Sequence, residues 1–180
     1  MNNQLTSESM NLEISEQEYL QKITNKKFKE VIFDTDKDQW EDQRSIYNRM
    51  WLKDLLLFIV EDTENNKFGY YYDEDLRFYY VNSKLFTLKR NGVEKFYVYE
   101  DIFTYGNYTE TIPKIEIKQL ICLGAGDQIV IGIESEKEKS YCQHNEHFVK
   151  YKGEKDVFIG RSGKDKPFTP KRITVIRLMK

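Results

Sequence analysis

Residues 55–60 of this chain, Leu-Leu-Leu-Phe-Ile-Val, form an unbroken apolar run. A strand with one wet face alternates apolar and polar side chains. This run has nothing polar to give to solvent, so it predicts a strand covered on both faces. Residues 61–67 are polar and charged, with Asn65 and Asn66 as a pair that tolerates left-handed backbone. Phe68-Gly69-Tyr70 then begins a return strand, and Gly69 leaves room where another backbone comes close. The rest of the chain is expected to wrap this hairpin.

Further strands are written around it. Residues 84–89 (KLFTLK) alternate, Asn91-Gly92 is the strongest short hairpin signal, and residues 93–99 return. Residues 114–122 alternate again and predict one half-exposed strand. The turn at residues 124–127 (GAGD) feeds the β-branched run 129–133. Residues 31–33, 140–142 and 157–160 are short apolar segments, and residues 172–179 (RITVIRLM) close the chain as a strand. Helix-length crossovers between strands are missing, so a parallel α/β sheet is excluded and an antiparallel sandwich or barrel is expected. The helical signals come early. Ser15 with Glu18 three residues on reads as a capping box, and Tyr19, Leu20 and Ile23 share one face of a helix over residues 16–27. Residues 45–51 (SIYNRMW) carry a second short helix. Residues 1–11 are polar and expected to be loose. The division expected is an N-terminal tail and helix over residues 1–30 and a β domain over residues 31–180.

Composition supports a β core. Of 180 residues only 39% are hydrophobic, but 13 Tyr, 11 Phe and 2 Trp offset this. Each aromatic buries about 150–250 Å² and suits a strand. The net charge of −2, with both signs interspersed, argues against nucleic acid as a partner, because neutralising phosphates takes clustered Lys and Arg. No apolar run approaches the roughly 18 residues of a membrane span, so no membrane insertion is expected. Two cysteines and no visible secretory signal predict a protein of a reducing compartment, the cytoplasm.

Chemistry-bearing residues are sparse. Cys122, Cys142, His144 and His147 exhaust the soft metal ligands, and their spacing matches no standard zinc finger. Ser140 or Cys142 with His144 or His147 supplies the parts of a nucleophile–base pair, but no G-x-S-x-G elbow is present. Cys142 is the candidate redox thiol, a role that requires a lowered pKa. The acidic loop Asp73-Glu74-Asp75 lacks the ligand order of a calcium hand. The glycine turn at 124–126 precedes a strand, not the helix a phosphate loop needs. No cofactor is expected. The acidic stretch 34–42 and the basic loop 164–172 are the charged surfaces suited to partner recognition.

Taken in order, these elements resemble the TLDc domain, the module shared by eukaryotic oxidation-resistance proteins. The likeness runs over residues 31–179. It rests on Val31-Ile32-Phe33-Asp34, the run 55–60, Phe68-Gly69-Tyr70-Tyr71, Lys84-Leu85-Phe86-Thr87-Leu88 with Lys95-Phe96 following, Leu123-Gly124-Ala125-Gly126, Ser140-Tyr141, Val157-Phe158-Ile159-Gly160 and the closing strand. Tyr70 and Ala125 stand where the family pattern has glycine, and the short N-terminal helix fits a protist-type version. The resemblance implies a two-sheet antiparallel β-sandwich flanked by short helices, with Phe68, Gly69, Phe86, Gly124, Gly126 and Gly160 as its structural positions. It also implies a role in the oxidative-stress response and, as in several members, binding to the vacuolar proton-pumping ATPase (V-ATPase). It implies no catalytic residue, so the expected function is a non-enzymatic protein-interaction module. The alternatives are a thiol-based redox protein or hydrolase using Cys142 with His144 or His147, and a structural domain that self-associates through its N-terminal helix.

Overall fold

A computed structural model describes residues 5–38, 43–50, 53–73, 84–100, 114–115, 120–123, 128–132, 139–144, 151 and 154–180. Helices α1 (Ser7–Met10) and α2 (Ile14–Thr24) open the chain, followed by β1 (Lys27–Asp34) and α3 (Gln43–Met50). Strands β2 (Leu56–Asp62), β3 (Lys67–Tyr72), β4 (Lys84–Arg90) and β5 (Val93–Glu100) form a meander. Then come β6 (Lys114–Ile115), β7 (Leu120–Leu123), β8 (Ile129–Gly132), β9 (Tyr141–Cys142) and the long β10 (Pro170–Met179). The protein is mainly β. Its larger sheet has the order β1-β10-β2-β3-β4-β5 and its smaller one β6-β7-β8-β9, with every pairing antiparallel.

The apolar run fulfils its promise by splitting its side chains between two cores. Leu56, Phe58 and Val60 join Phe68, Tyr70 and Tyr72 of β3 in one cluster. There they meet Ile121, Leu123, Ile129, Ile131 and Cys142 from the smaller sheet, which makes the two sheets a sandwich. Leu55, Leu57 and Ile59 face the other way, into a second cluster with Tyr71, Phe86, Ile176 and Leu178. Met10, Leu12 and Leu20 of the N-terminal helices cover that second face. The larger sheet is therefore a middle layer, with a sheet on one side and helices on the other. Each side chain so buried contributes about 1.5–3 kcal/mol relative to an exposed one.

Gly69 is fixed by this layering. A Cβ there would overlap the carbonyl oxygen of Phe58 and come within 2.7 Å of the Phe86 ring. Phe86 is its cross-strand partner on β4. The ring fills the space that the glycine leaves vacant, an aromatic covering a strand glycine. The predicted Asn91-Gly92 turn is also in place, with φ of 50° and 77°, both left-handed as the tight hairpin requires.

The N-terminal expectation needs correction. Residues 7–10 form a helical turn whose end carries two core residues, Met10 and Leu12, so this segment is docked rather than loose. Helix α2 starts earlier than Ser15, after the N-cap Glu13, because Glu16 reaches back to accept from the Glu13 N–H at 2.9 Å. Strand β1 begins at Lys27, so the helical segment ends before residue 30. The single strand expected over residues 114–122 is a chain reversal, since β6 and β7 pair antiparallel with Lys114 opposite Cys122 and Ile115 opposite Ile121. Alternation reads the same along one strand or across a reversed pair when the partners share a face.

Candidate functional site

Where the α1–α2 junction crosses the tips of the β2–β3 and β4–β5 hairpins, a cleft of about 950 Å³ opens. The hairpin tips are tied together first. Asp62 is fully buried, and its carboxylate accepts from the N–H groups of Glu64 and Asn66 and from the Asn66 side chain. Asn66 Oδ1 in turn accepts from Asn91 N at 2.8 Å, and Gly92 N donates to Asn65 O at 2.9 Å. The cleft floor is thus a rigid pair of turns.

The helical wall is locked to this floor by charge. Lys67 Nζ, 7% exposed, lies 3.0 Å from Oε2 of Glu16, which is wholly buried. It also donates to Asn11 O at 3.1 Å, the carbonyl of the left-handed residue that ends α1. Lys89 binds Glu13 and stands 3.8 Å from the other oxygen of Glu16. The hydrogen bond from Lys89 holds the Glu13 carboxyl below the ordinary range. Ser15 Oγ donates to Glu94 on β5 at 2.7 Å, and Lys84 Nζ donates to Ile23 O at 2.8 Å.

The far end belongs to Arg172 of β10. Its guanidinium grips Asp34 with two bonds, at 3.0 and 2.8 Å, contacts Asp36 at 3.2 Å, and donates to Glu8 O at 3.2 Å. Burial pushes the Asp34 carboxyl up. The bonds from Arg172 and from the backbone of Asp36 outweigh it and hold the carboxyl below its usual value. Asp34 and Asp36 of the acidic stretch thus meet Arg172, the last residue of the basic loop. Asp34 in particular is 1% exposed, not a solvated loop residue. Arg161 likewise binds Glu64 with two bonds, and Lys171 binds Glu61 at 2.6 Å. Burial pushes the Glu61 carboxyl up, and the bond from Lys171 outweighs it and brings the carboxyl below the ordinary range.

The remaining sequence candidates lie elsewhere. Cys142 is 1% exposed in the sandwich core, and burial pushes its thiol well up, with the charge of Asp62 adding to the shift. A closed-off, protonated thiol lacks the thiolate and the access that a redox nucleophile needs. His144 stacks on Tyr151 with ring centres 4.2 Å apart. Ser140 Oγ accepts from Gly132 N at 2.9 Å, tying β8 to the start of β9. In the ladder Cys122 pairs with Val130 and Cys142 with Ile129, successive rows of the sheet. His147, Gly124, Gly126, Glu74 and Asp75, and the side chain of Cys122, lie outside the described residues. Among the described residues no three His, Cys, Asp or Glu gather as a metal site. Phe68 is buried between Phe158 and Phe168, with ring centres 5.7 and 5.4 Å away. Gly160 ends the turn that buries Val157, Phe158 and Ile159, and sits beside Arg90.

Sequence reading missed the cleft. One signal was present: Glu16 falls between Leu12 and Leu20 at four-residue steps, a charge in the apolar stripe of the helix. A charge placed there needs a partner on the covered surface, and Lys67 provides it. Among the described residues the cleft lining contains no histidine or cysteine, and its Glu13, Glu61, Lys67, Lys89 and Arg172 side chains are each held in an ion pair. In comparison with known proteins, the chain matches no family model and no curated protein. No helix among the described residues is long and apolar enough to cross a membrane.

Proposed function

We propose that the chain is a non-enzymatic protein-interaction module of the TLDc type, acting in the oxidative-stress response through a protein partner. The vacuolar proton-pumping ATPase is the leading candidate. The observation that carries the reading is the pairing of Gly69 with Phe86 at the centre of the middle sheet. Two positions singled out by the motif series turn out to depend on each other physically, between a smaller sheet and a helical layer. Against the thiol-based alternative, Cys142 is enclosed in the sandwich core and burial pushes its thiol up.

The test is direct binding. The full chain is titrated onto purified cytosolic sector of the proton pump, and pump activity is followed. Saturable binding is expected, with a change in ATP hydrolysis. No binding at micromolar concentration removes the pump as the partner. Peroxide survival of host cells overexpressing or lacking the chain then tests the stress-response role separately.

A further inference from the structure

We infer that the tip of the β4–β5 hairpin docks an acidic segment of a partner protein, with Arg90 taking the carboxylate of one Asp or Glu and Val93 the apolar residue beside it. This rests on the interaction-module reading and names the chemistry that the partner brings.

Arg90 differs from the other arginines described. Arg49, Arg161, Arg172 and Arg177 each hold a carboxylate, those of Asp38, Glu64, Asp34 and Asp54. Arg90 holds none among the described residues, although it is half-buried. A guanidinium drawn back from water gains most from an acceptor that pairs with it. This one is also braced. The turn over residues 157–160 is bonded to β4, where Thr87 Oγ1 donates to Val157 O at 3.2 Å. The Arg90 guanidinium lies against the end of that turn. A Cβ at Gly160 would stand 2.9 Å from Arg90 Nη2 and 3.3 Å from Nε, so a side chain there would push the guanidinium off. A planar fork resting on backbone loses little freedom when a carboxylate takes it by two parallel bonds.

Apolar surface adjoins it. Val93 stands opposite Arg90 in the ladder and is 68% exposed, and Tyr97 on the same strand is 38% exposed. Only four large apolar side chains are so exposed among the described residues, and these are two of them. The acids of the neighbourhood do not cancel the Arg90 charge. Glu154 lies 3.6 Å from Lys95, Asp156 is turned to Ser162, and Glu94 is turned to the helical side, where it accepts from Ser15. The hairpin tip therefore offers one uncommitted cation beside exposed apolar side chains. Charge complementarity selects an acidic segment for it, and arginine is among the residues that anchor interfaces.

The experiment is selection of random twelve-residue peptides displayed on phage against the full chain. Synthetic members of the enriched set are then titrated onto wild type, Arg90→Gln, Arg90→Lys and Val93→Ser. Arg90 makes no ion pair and Val93 is mostly in water, so all three variants are expected to keep the wild-type melting temperature. The expected outcome is a set in which Asp or Glu stands beside an apolar residue. Affinity should be at least about tenfold weaker for Arg90→Gln and should fall as salt screens the charges. Arg90→Lys keeps the charge but loses the fork, so it should fall between the two. Val93→Ser should bind more weakly than wild type. Enriched peptides that are basic or neutral overturn the acidic-segment assignment, and so does undiminished affinity for Arg90→Gln. A selection that enriches nothing overturns the hairpin tip as a docking site. Wild-type affinity for Arg90→Lys overturns the two-bond contact, and wild-type affinity for Val93→Ser overturns the apolar one. Titration with the pump tests the module reading independently, so the two failures are distinguishable.

Discussion

Two residues decide more than their size implies. Gly69 has backbone on one side and the Phe86 ring on the other. Even a methyl group must push β2 away from β3, because a carbonyl in a central ladder has nowhere to rotate. Gly69→Ala is expected to cost more than about 4 kcal/mol, in the range kept for disrupted cores. Thermal melting of the variant beside wild type checks this, and a loss under about 1 kcal/mol contradicts it. Glu16 is the second. Removing one partner of a buried ion pair leaves the other charge uncompensated, at a cost of about 3–5 kcal/mol. Glu16→Gln should lower the urea midpoint accordingly. Glu16→Leu combined with Lys67→Met should recover most of the loss, since replacing the whole pair by apolar side chains is near neutral. A double variant as unstable as Glu16→Gln rules out an uncompensated charge as the cause.

At the scale of elements, the strand ends are held by side chains from distant parts of the chain. Arg172 on β10 binds Asp34 at the end of β1, 138 residues apart in sequence. The folded pKa of Asp34 lies below its unfolded value of about 3.9. A carboxyl shifted in that direction adds stability above the unfolded pKa and loses it as pH falls through the folded one. Asp34→Asn is therefore expected to cost about 3 kcal/mol at neutral pH, with the gap to wild type narrowing below about pH 4. Urea denaturation at both pH values measures it. A gap that stays constant into acid shows that the cost is not ionic. The N-terminal helices are elements of the same kind. Met10, Leu12 and Leu20 pack against one face of the middle sheet, so this segment contributes to the core.

At the scale of the whole molecule, the sandwich determines which chemistry is open. Cys142 is enclosed in the core between the two sheets. Alkylation at Cys142, followed by mass mapping at neutral pH, is expected to proceed no faster than global unfolding and to accelerate in denaturant. Reaction at the rate of a free thiol in native buffer would reopen the redox alternative. The cleft belongs to this scale as well, since it is lined by the N-terminal helical segment, both hairpins and Arg172 of β10.

What was legible in the sequence is what neighbouring residues decide among themselves. The run 55–60 had no polar side chain to offer water, so it had to be covered on both faces. Asn91 and Gly92 both accept left-handed backbone, so the β4–β5 turn was fixed locally. The β-rich, antiparallel class followed from the spacing of such signals. Alternation, however, is blind to chain reversal, and so β6 and β7 read as one strand. The cleft was out of reach for a related reason. Lys67 and Glu16 are 51 residues apart, and Arg172 and Asp34 further still. A charge in a sequence looks solvated until another segment folds over it, because Coulomb attraction and desolvation depend on distance in space and not along the chain. The sequence alone determined that this chain is a covered β sheet. Only the tertiary structure decided which charges are buried as struts and which remain exposed, as those around the cleft do.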